Sequence, residues 1–206
     1  DDADCVKKRV VIIGAGASGL MAACRAAGPG IEVTLVEKQK KTGRKLLATG
    51  NGRCNISNTR IDASRYHGRN PKWVNGVFSR FGLDDTVAFF ESIGVPFVEG
   101  ENGRLFPASL QASSVQKMLE YEAARRGVNI RLHRKIERIL PAKKGIQLVT
   151  AGQEEMSCDS LIVAAGSCAY SPLGASRDVY DLAASLGHRV YEPLPAIIPL
   201  NVPLRA

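Results

Sequence analysis

The sequence predicts an α/β domain built on a parallel sheet. Three observations carry that prediction: a continuous β-branched run at 10–13, a glycine-spaced turn at 14–19 opening a helix of small residues, and a second apolar strand at 31–36 ending on Glu37. A strand apolar at every position is buried on both faces, the mark of a parallel sheet. Strand, short helix and strand within about thirty residues make a βαβ unit, whose crossover is right-handed.

The remaining elements follow in order. The helix spans 20–27 and closes at Gly28, because small residues and good helix formers end where glycine offers a left-handed exit. Between 69 and 127 the chain reads mainly helical, with helices at 72–81, 84–93 (Asp84 as its cap) and 113–126, a short extended piece at 95–98 and a turn at 101–103. Residues 128–132 form a third strand of the sheet. Three short strands at 135–140, 145–150 and 154–158 then make a β-meander joined by tight turns. Residues 161–166 read as another buried parallel strand breaking at Gly166, and 178–186 as a final helix before a Pro-rich tail (Pro193, Pro195, Pro199, Pro203).

Composition supports a folded chain. Of 206 residues, 45% are hydrophobic and 23% charged, enough apolar material to bury a core and too little bias for a disordered or collagen-like chain. No apolar stretch approaches the ~20 residues of a spanning helix, so no membrane association is expected. The start, Asp1-Asp2-Ala3-Asp4, lacks both an initiating Met and the order of a signal peptide, which points to a processed or trimmed product. The five cysteines include no C-x-x-C pair and the three histidines have no ligand spacing, so no metal site is expected. Reduced thiols place the chain in the cytoplasm or another reducing compartment, an organelle if a transit peptide has been removed.

The formal net charge is +8, from 28 basic and 20 acidic residues. Lys38, Lys40, Lys41, Arg44, Lys45, Arg53 and Arg60 fall in one stretch with no acid and with glycines rather than aromatics between them. Single-strand binding needs aromatic platforms, so the stretch suits a local phosphate site better than a nucleic-acid groove. Lys40 and Lys41 equally fit a solvated basic loop.

The chemistry starts at Gly14-Ala15-Gly16-Ala17-Ser18-Gly19, a G-x-G-x-x-G turn between strand and helix. Gly14 permits the tight turn, Gly16 leaves room for a pyrophosphate to approach the backbone, and Gly19 lets helix pack closely on strand. The helix N-terminus adds free N–H groups and a positive dipole end. Glu37, 18 residues beyond Gly19, is placed to accept ribose hydroxyls and to repel a 2′-phosphate. Dinucleotide binding in a Rossmann-like unit follows. Whether the dinucleotide is FAD or NAD is not decided by this unit.

A further block distinguishes them. Residues 43–58 (GRKLLATGNGRCNISN) resemble the signature of a family of NAD(P)/FAD-dependent flavoproteins of the aminoacetone oxidase-like and bile-acid dehydro-reductase-like (BaiN) type. Residues 103–109, 112–115, 180–188 and 195–200 are similar to further blocks of that family, so the resemblance runs from about Val10 to the C-terminus. It implies an FAD-binding domain of the two-dinucleotide-binding type, with the parallel sheet, the βαβ unit and the meander as crossover. It also implies that Glu37 binds the adenosine ribose with Lys38 beside it, that Arg44 and Lys45 lie along FAD, and that Gly50, Asn51 and Asn55 hold the loop against the pyrophosphate and flavin side. Ile136 matches a position whose backbone approaches adenine, and Ala165 and Gly166 match a strand-ending turn near the flavin, with Ala165 where threonine is usual.

Catalytic residues are not assigned. A flavin does the redox chemistry while the protein orients and tunes it. Cys54 is a candidate thiol without a partner in sequence. Tyr170 and Lys45 could reach the ring, Met21 and Met118 read as core, and His133 and His188 as packing or surface residues. Family members are about twice as long. Residues 6–192 thus resemble an incomplete FAD-binding domain lacking a C-terminal returning segment, and 193–206 the Pro-rich start of a missing inserted domain. The expected function is hydride transfer between flavin and a small organic substrate, with NAD(P)H as co-substrate. The alternative is a non-catalytic dinucleotide-binding module or truncated remnant.

Overall fold

The computed structural model describes residues 7–68 and 70–194. Strand β1 (Lys8–Ile13) lies inside a four-stranded parallel sheet of order β10-β1-β2-β6, flanked by β2 (Ile31–Val36) and β10 (Ser160–Val163), with β6 (Asn129–Arg131) outside β2. This is the expected Rossmann-like α/β fold.

The alternation of a strand divides the core into two layers. Val10 and Ile12 of β1, with Val33 and Leu35 of β2, face helices α1 (Ala17–Ala26) and α5 (Ala112–Arg125). Val11, Ile13 and Val36 face the other way, onto the meander β7 (Ile136–Pro141), β8 (Ile146–Thr150) and β9 (Glu155–Cys158), and onto Leu182 of α6 (Asp178–Ser185). Helix α5 presents Ala112, Val115, Leu119 and Ala123, a helical-period stripe, and all four are buried. The meander pairs antiparallel in the order β7-β8-β9, as expected.

Several elements depart from the sequence reading. The run at 161–166 is an edge strand rather than a buried one. It ends at Val163, and Ile162 and Val163 are each 36% exposed because nothing among the described residues pairs with the far side of β10. The block 43–58 is not simply a loop: it holds a five-residue helix α2 (Arg44–Ala48) and a short strand β3 (Ser57–Asn58). That strand joins β4 (Phe97–Glu99) and β5 (Arg104–Pro107) in a small antiparallel sheet of order β3-β5-β4. Strands of two to four residues carry no readable period. Helix α3 (Trp73–Phe78) is shorter than expected. Helix α4 (Leu83–Ser92) starts from Gly82, whose N–H donates to Asp85 Oδ2 at 2.9 Å, so Asp84 is not its cap. The tail beyond residue 194 lies outside the described residues.

Candidate nucleotide-binding crevice

At the C-terminal end of β1 the chain turns through Gly14, where φ is 99° and the N–H donates to Val36 O at 2.7 Å. A Cβ at Gly14 would stand 2.6 Å from Ala165 Cα, and one at Gly19 only 1.7 Å from Gly14 O. Both glycines are therefore fixed by packing of the protein on itself. Gly16 differs: its backbone is extended, it precedes the first residue of α1, and a Cβ there would meet nothing within 4 Å. The first-turn N–H groups of α1 have no partner within the helix. Ala17 and Ser18 carry theirs at the wall of a crevice of about 570 Å³.

Glu37 stands opposite. Its Oε2 accepts the Ala15 N–H and its Oε1 the Gln39 N–H, both at 2.8 Å. An ionised carboxylate has about four lone-pair sites, so roughly half remain for an incoming hydroxyl. Ala15 O in turn accepts the Gly43 N–H at 2.8 Å. The start of the basic block is thereby pinned to the glycine turn, and Arg44 and Lys45 line the same crevice. Lys45 Nζ donates to Ser167 O at 3.0 Å, and Arg44 donates to Gln39 Oε1 at 2.9 Å and to Pro172 O at 3.4 Å.

Lys38 also lines the crevice, but its ammonium is engaged by Ser176 Oγ and by Asp178 Oδ2, the latter at 2.9 Å. The hydrogen bond from Lys38 holds the Asp178 carboxyl down at about 2, with Ser176 and Lys135 acting in the same direction against partial burial. Asp178, Ser176 and Gln39 were not singled out by the sequence. Asp178 read only as the start of a helix, and no local pattern ties it to a lysine 140 residues earlier.

Of the sequence-predicted residues, Gly14, Ala15, Gly16, Ala17, Ser18, Glu37, Lys38, Arg44, Lys45, Asn55, Ile136, Ala165 and Gly166 line the crevice. Gly19 lies behind it as a packing glycine. Gly50 and Asn51 are not part of the lining: Gly50 packs against the Asn55 backbone and the Phe106 ring, and Asn51 is exposed. Their left-handed conformations, φ 56° and 54°, turn the chain so that Asn55 reaches the wall.

Part of the lining is apolar, with Met21, Leu46, Cys54, Ile56, Phe81 and Phe90. Met21 therefore faces the crevice as well as the core, whereas Met118 packs on the core. Cys54 is 4% exposed in a left-handed conformation, φ 62°. Burial pushes its thiol pKa up, only partly offset by a hydrogen bond with Thr49. Burial thus disfavours its thiolate, and Cys54 contributes to the crevice wall. Tyr170 is 66% exposed and outside the lining, and His133 and His188 are exposed. Among the described residues no cluster could hold a metal, and no helix is long and apolar enough to cross a membrane.

These residues fit the adenosine diphosphate half of a dinucleotide. Gly16 leaves open the space a Cβ would fill, the end of α1 offers donors, Glu37 keeps acceptor sites, and Arg44 and Lys45 supply positive charge.

Residues 8–194 match the family described as HI0933-like protein Rossmann domain. The chain is 39% identical over 196 residues to the 3-dehydro-bile acid delta(4,6)-reductase of Clostridium scindens, covering 94% of this chain and 47% of that protein. It is 32% identical over 194 residues to the ribosomal RNA dihydrouridine synthase of Haemophilus influenzae, covering 93% and 48%. The chain thus spans about half the length of the curated relatives it matches. Among solved structures, THI4 of Thermovibrio ammonificans superposes with a TM-score of 0.57 at 14% identity, over 89% of this chain and 64% of that one, a likeness of fold.

Proposed function

The chain belongs to the HI0933-like family through its Rossmann domain, and from that premise we propose that it is the FAD-binding part of a flavoprotein oxidoreductase. The carrying observation is the pairing, across one crevice, of an open Gly16 at the start of α1 with Glu37 at the end of β2. The first-turn N–H groups and the Arg44 and Lys45 charges receive the diphosphate. Glu37 receives the ribose hydroxyls, held in place by the Ala15 and Gln39 N–H groups. Ile136, Ala165 and Gly166 line the same crevice, and this reading assigns Ile136 to the adenine end and the other two to the flavin end. Met21, Leu46, Phe81 and Phe90 give the same crevice an apolar wall suited to a ring system. Bound FAD would supply hydride transfer.

The substrate class is a small organic molecule, with NAD(P)H as the reductant. The name of the bile acid relative supports the reductive direction. Arg44 and Lys45, half-buried at the crevice, support a phosphate site there, while Lys40, Arg53 and Arg60 of the same stretch are exposed outside the lining. Four free thiols among the described residues suit a reducing compartment such as the cytoplasm. The test is FAD titration of the 206-residue chain, followed by NADH or NADPH oxidation with an added acceptor. Saturable quenching of flavin fluorescence, displaced by ADP, is expected. No uptake of FAD or ADP would overturn the reading, and uptake without turnover would favour a binding module.

A further inference from the structure

Arg44 and Lys45, the two cations assigned above to the diphosphate, stand on α2, a helix of five residues. An isolated helix below about 12–15 residues is marginal in water, so the direction of these side chains is set by what holds α2 from outside. Leu46 is one anchor, buried in the core. The Gly43 N–H is a second, donating to Ala15 O at 2.8 Å.

A third anchor comes from α5 and enters through Thr42. Thr42 is 3% exposed and, unlike Lys41, Gly43, Arg44 and Lys45 around it, takes no part in the crevice lining. Gln116 Nε2 donates to Thr42 O at 3.0 Å and to Thr42 Oγ1 at 3.2 Å, and that hydroxyl donates to Glu120 Oε1. Gln116 and Glu120 are four residues apart and so lie one above the other on the helix surface. One turn of α5 therefore grips both the backbone and the hydroxyl of a single residue. The Gln116 stem also packs on Gly43, where a Cβ would stand 3.0 Å from Gln116 Cγ. Neither Gln116 nor Glu120 lines the crevice, although Val115 and Leu119 of the same helix do. The polar pair thus reaches a nucleotide only through Thr42.

Gly43 is the joint between this grip and the cations. It is left-handed, with φ 62°, and glycine has the widest backbone freedom of any residue. A rotation there would swing Arg44 and Lys45 together. We propose that Thr42, clamped by Gln116 and Glu120, is a positioning residue for the diphosphate: it fixes the Gly43 joint so that Arg44 and Lys45 face the crevice before a nucleotide arrives. The inference rests on the reading that the crevice receives an ADP moiety. Its physical basis is preorganisation, since a block already held in its bound direction loses little freedom on binding.

The experiment follows ADP and adenosine by NMR chemical-shift titration of the 206-residue chain, T42V and T42S. Thr42→Val keeps the shape and deletes the hydroxyl, and Thr42→Ser keeps the hydroxyl. The parent is expected to bind ADP more tightly than adenosine. T42V should lose about fivefold or more in ADP affinity, the order for one hydrogen bond, with adenosine affinity unchanged, and T42S should keep the parent ratio. Hydrogen exchange at the Gly43 and Leu47 amides, which donate to Ala15 O and Gly43 O, should quicken in T42V while the β1 amides stay protected. A parental ratio in T42V, an equal loss for both ligands, or a T42S loss as large as that of T42V overturns the inference, while tighter binding of ADP than of adenosine by the parent keeps the FAD reading. Binding of neither ligand, or equal binding of both by the parent, overturns the two together. If T42V does not give a cooperative melt, Gln116→Met decides by the same ratio, since it keeps a stem against Gly43 and removes both donated bonds.

Discussion

The Ala15 N–H and the Glu37 carboxylate are joined by a 2.8 Å hydrogen bond that ties the glycine turn to the end of the second strand. The same carboxylate accepts the Gln39 N–H. It is oriented by the backbone before any sugar arrives, so little rotamer entropy is lost when a ribose binds. Its two backbone partners are both donors, which makes the position intolerant of an amide.

Replacing Glu37 with alanine should weaken ADP and FAD binding by about 1–3 kcal/mol, the range for a lost charged hydrogen-bond acceptor. Glu37→Gln should not rescue it, because its NH2 group would have to face one of two backbone N–H donors. Calorimetric titration of both variants checks this. Affinity unchanged in E37A would mean that the carboxylate does not hold the ribose.

The glycines of the turn should separate folding from binding. Gly16→Ala places a methyl group in open space at an allowed backbone conformation, so its thermal midpoint should stay near the parent's while ADP affinity drops about tenfold or more, as backbone approach is blocked. Gly19→Ala drives a methyl group into Gly14 O and should cost several kcal/mol, on the order of 3 or more. Melting curves beside ADP titrations distinguish the two. Equal midpoints for G16A and G19A would contradict the packing described.

Thiol reactivity should follow enclosure. Cys24, Cys54 and Cys158 are buried and free, and burial pushes the Cys24 thiol up to about 11, with Glu122 adding to the effect. At pH 7.5 an alkylating reagent should modify the half-buried Cys168 well before any of these three. Peptide mapping of a time course reads the order. Early modification of Cys54 would restore it as a candidate reactive thiol.

Two carboxylates make stability fall in acid. The hydrogen bond from Arg125, aided by Arg126, holds buried Glu122 at about 2 against an ordinary 4.5, and Lys38 holds Asp178 at about 2 against 3.8. Both are depressed in the folded chain, so their contribution is complete above about pH 4.5 and is lost as pH falls toward 2. Arg125 is well exposed, so screening limits the Glu122 share to about 1–2 kcal/mol. Urea unfolding between pH 7 and 2.5 should show this decline, with a shallower slope for Glu122→Gln. An unaltered slope would assign the acid response to other groups.

The sequence by itself determined the βαβ unit, the meander and the position of Glu37. Those features rest on local pattern: a β-branched run, glycines at fixed spacing and alternating strands, each legible within a few residues. It also marked out 43–58, whose Arg44, Lys45 and Asn55 reach the crevice while Gly50 and Asn51 shape the turn behind. Only the tertiary structure decided what neutralises each cation. Lys38 meets Asp178, and Arg131 meets Glu154, because parallel strands and the meander bring distant segments to one end of the sheet. It likewise made β10 an edge and split the roles of Gly14, Gly16 and Gly19, since whether a Cβ would strike backbone or open space depends on which remote segment lies opposite. Charge pairing and steric clearance are properties of distance in space, and the order of residues does not encode that distance locally.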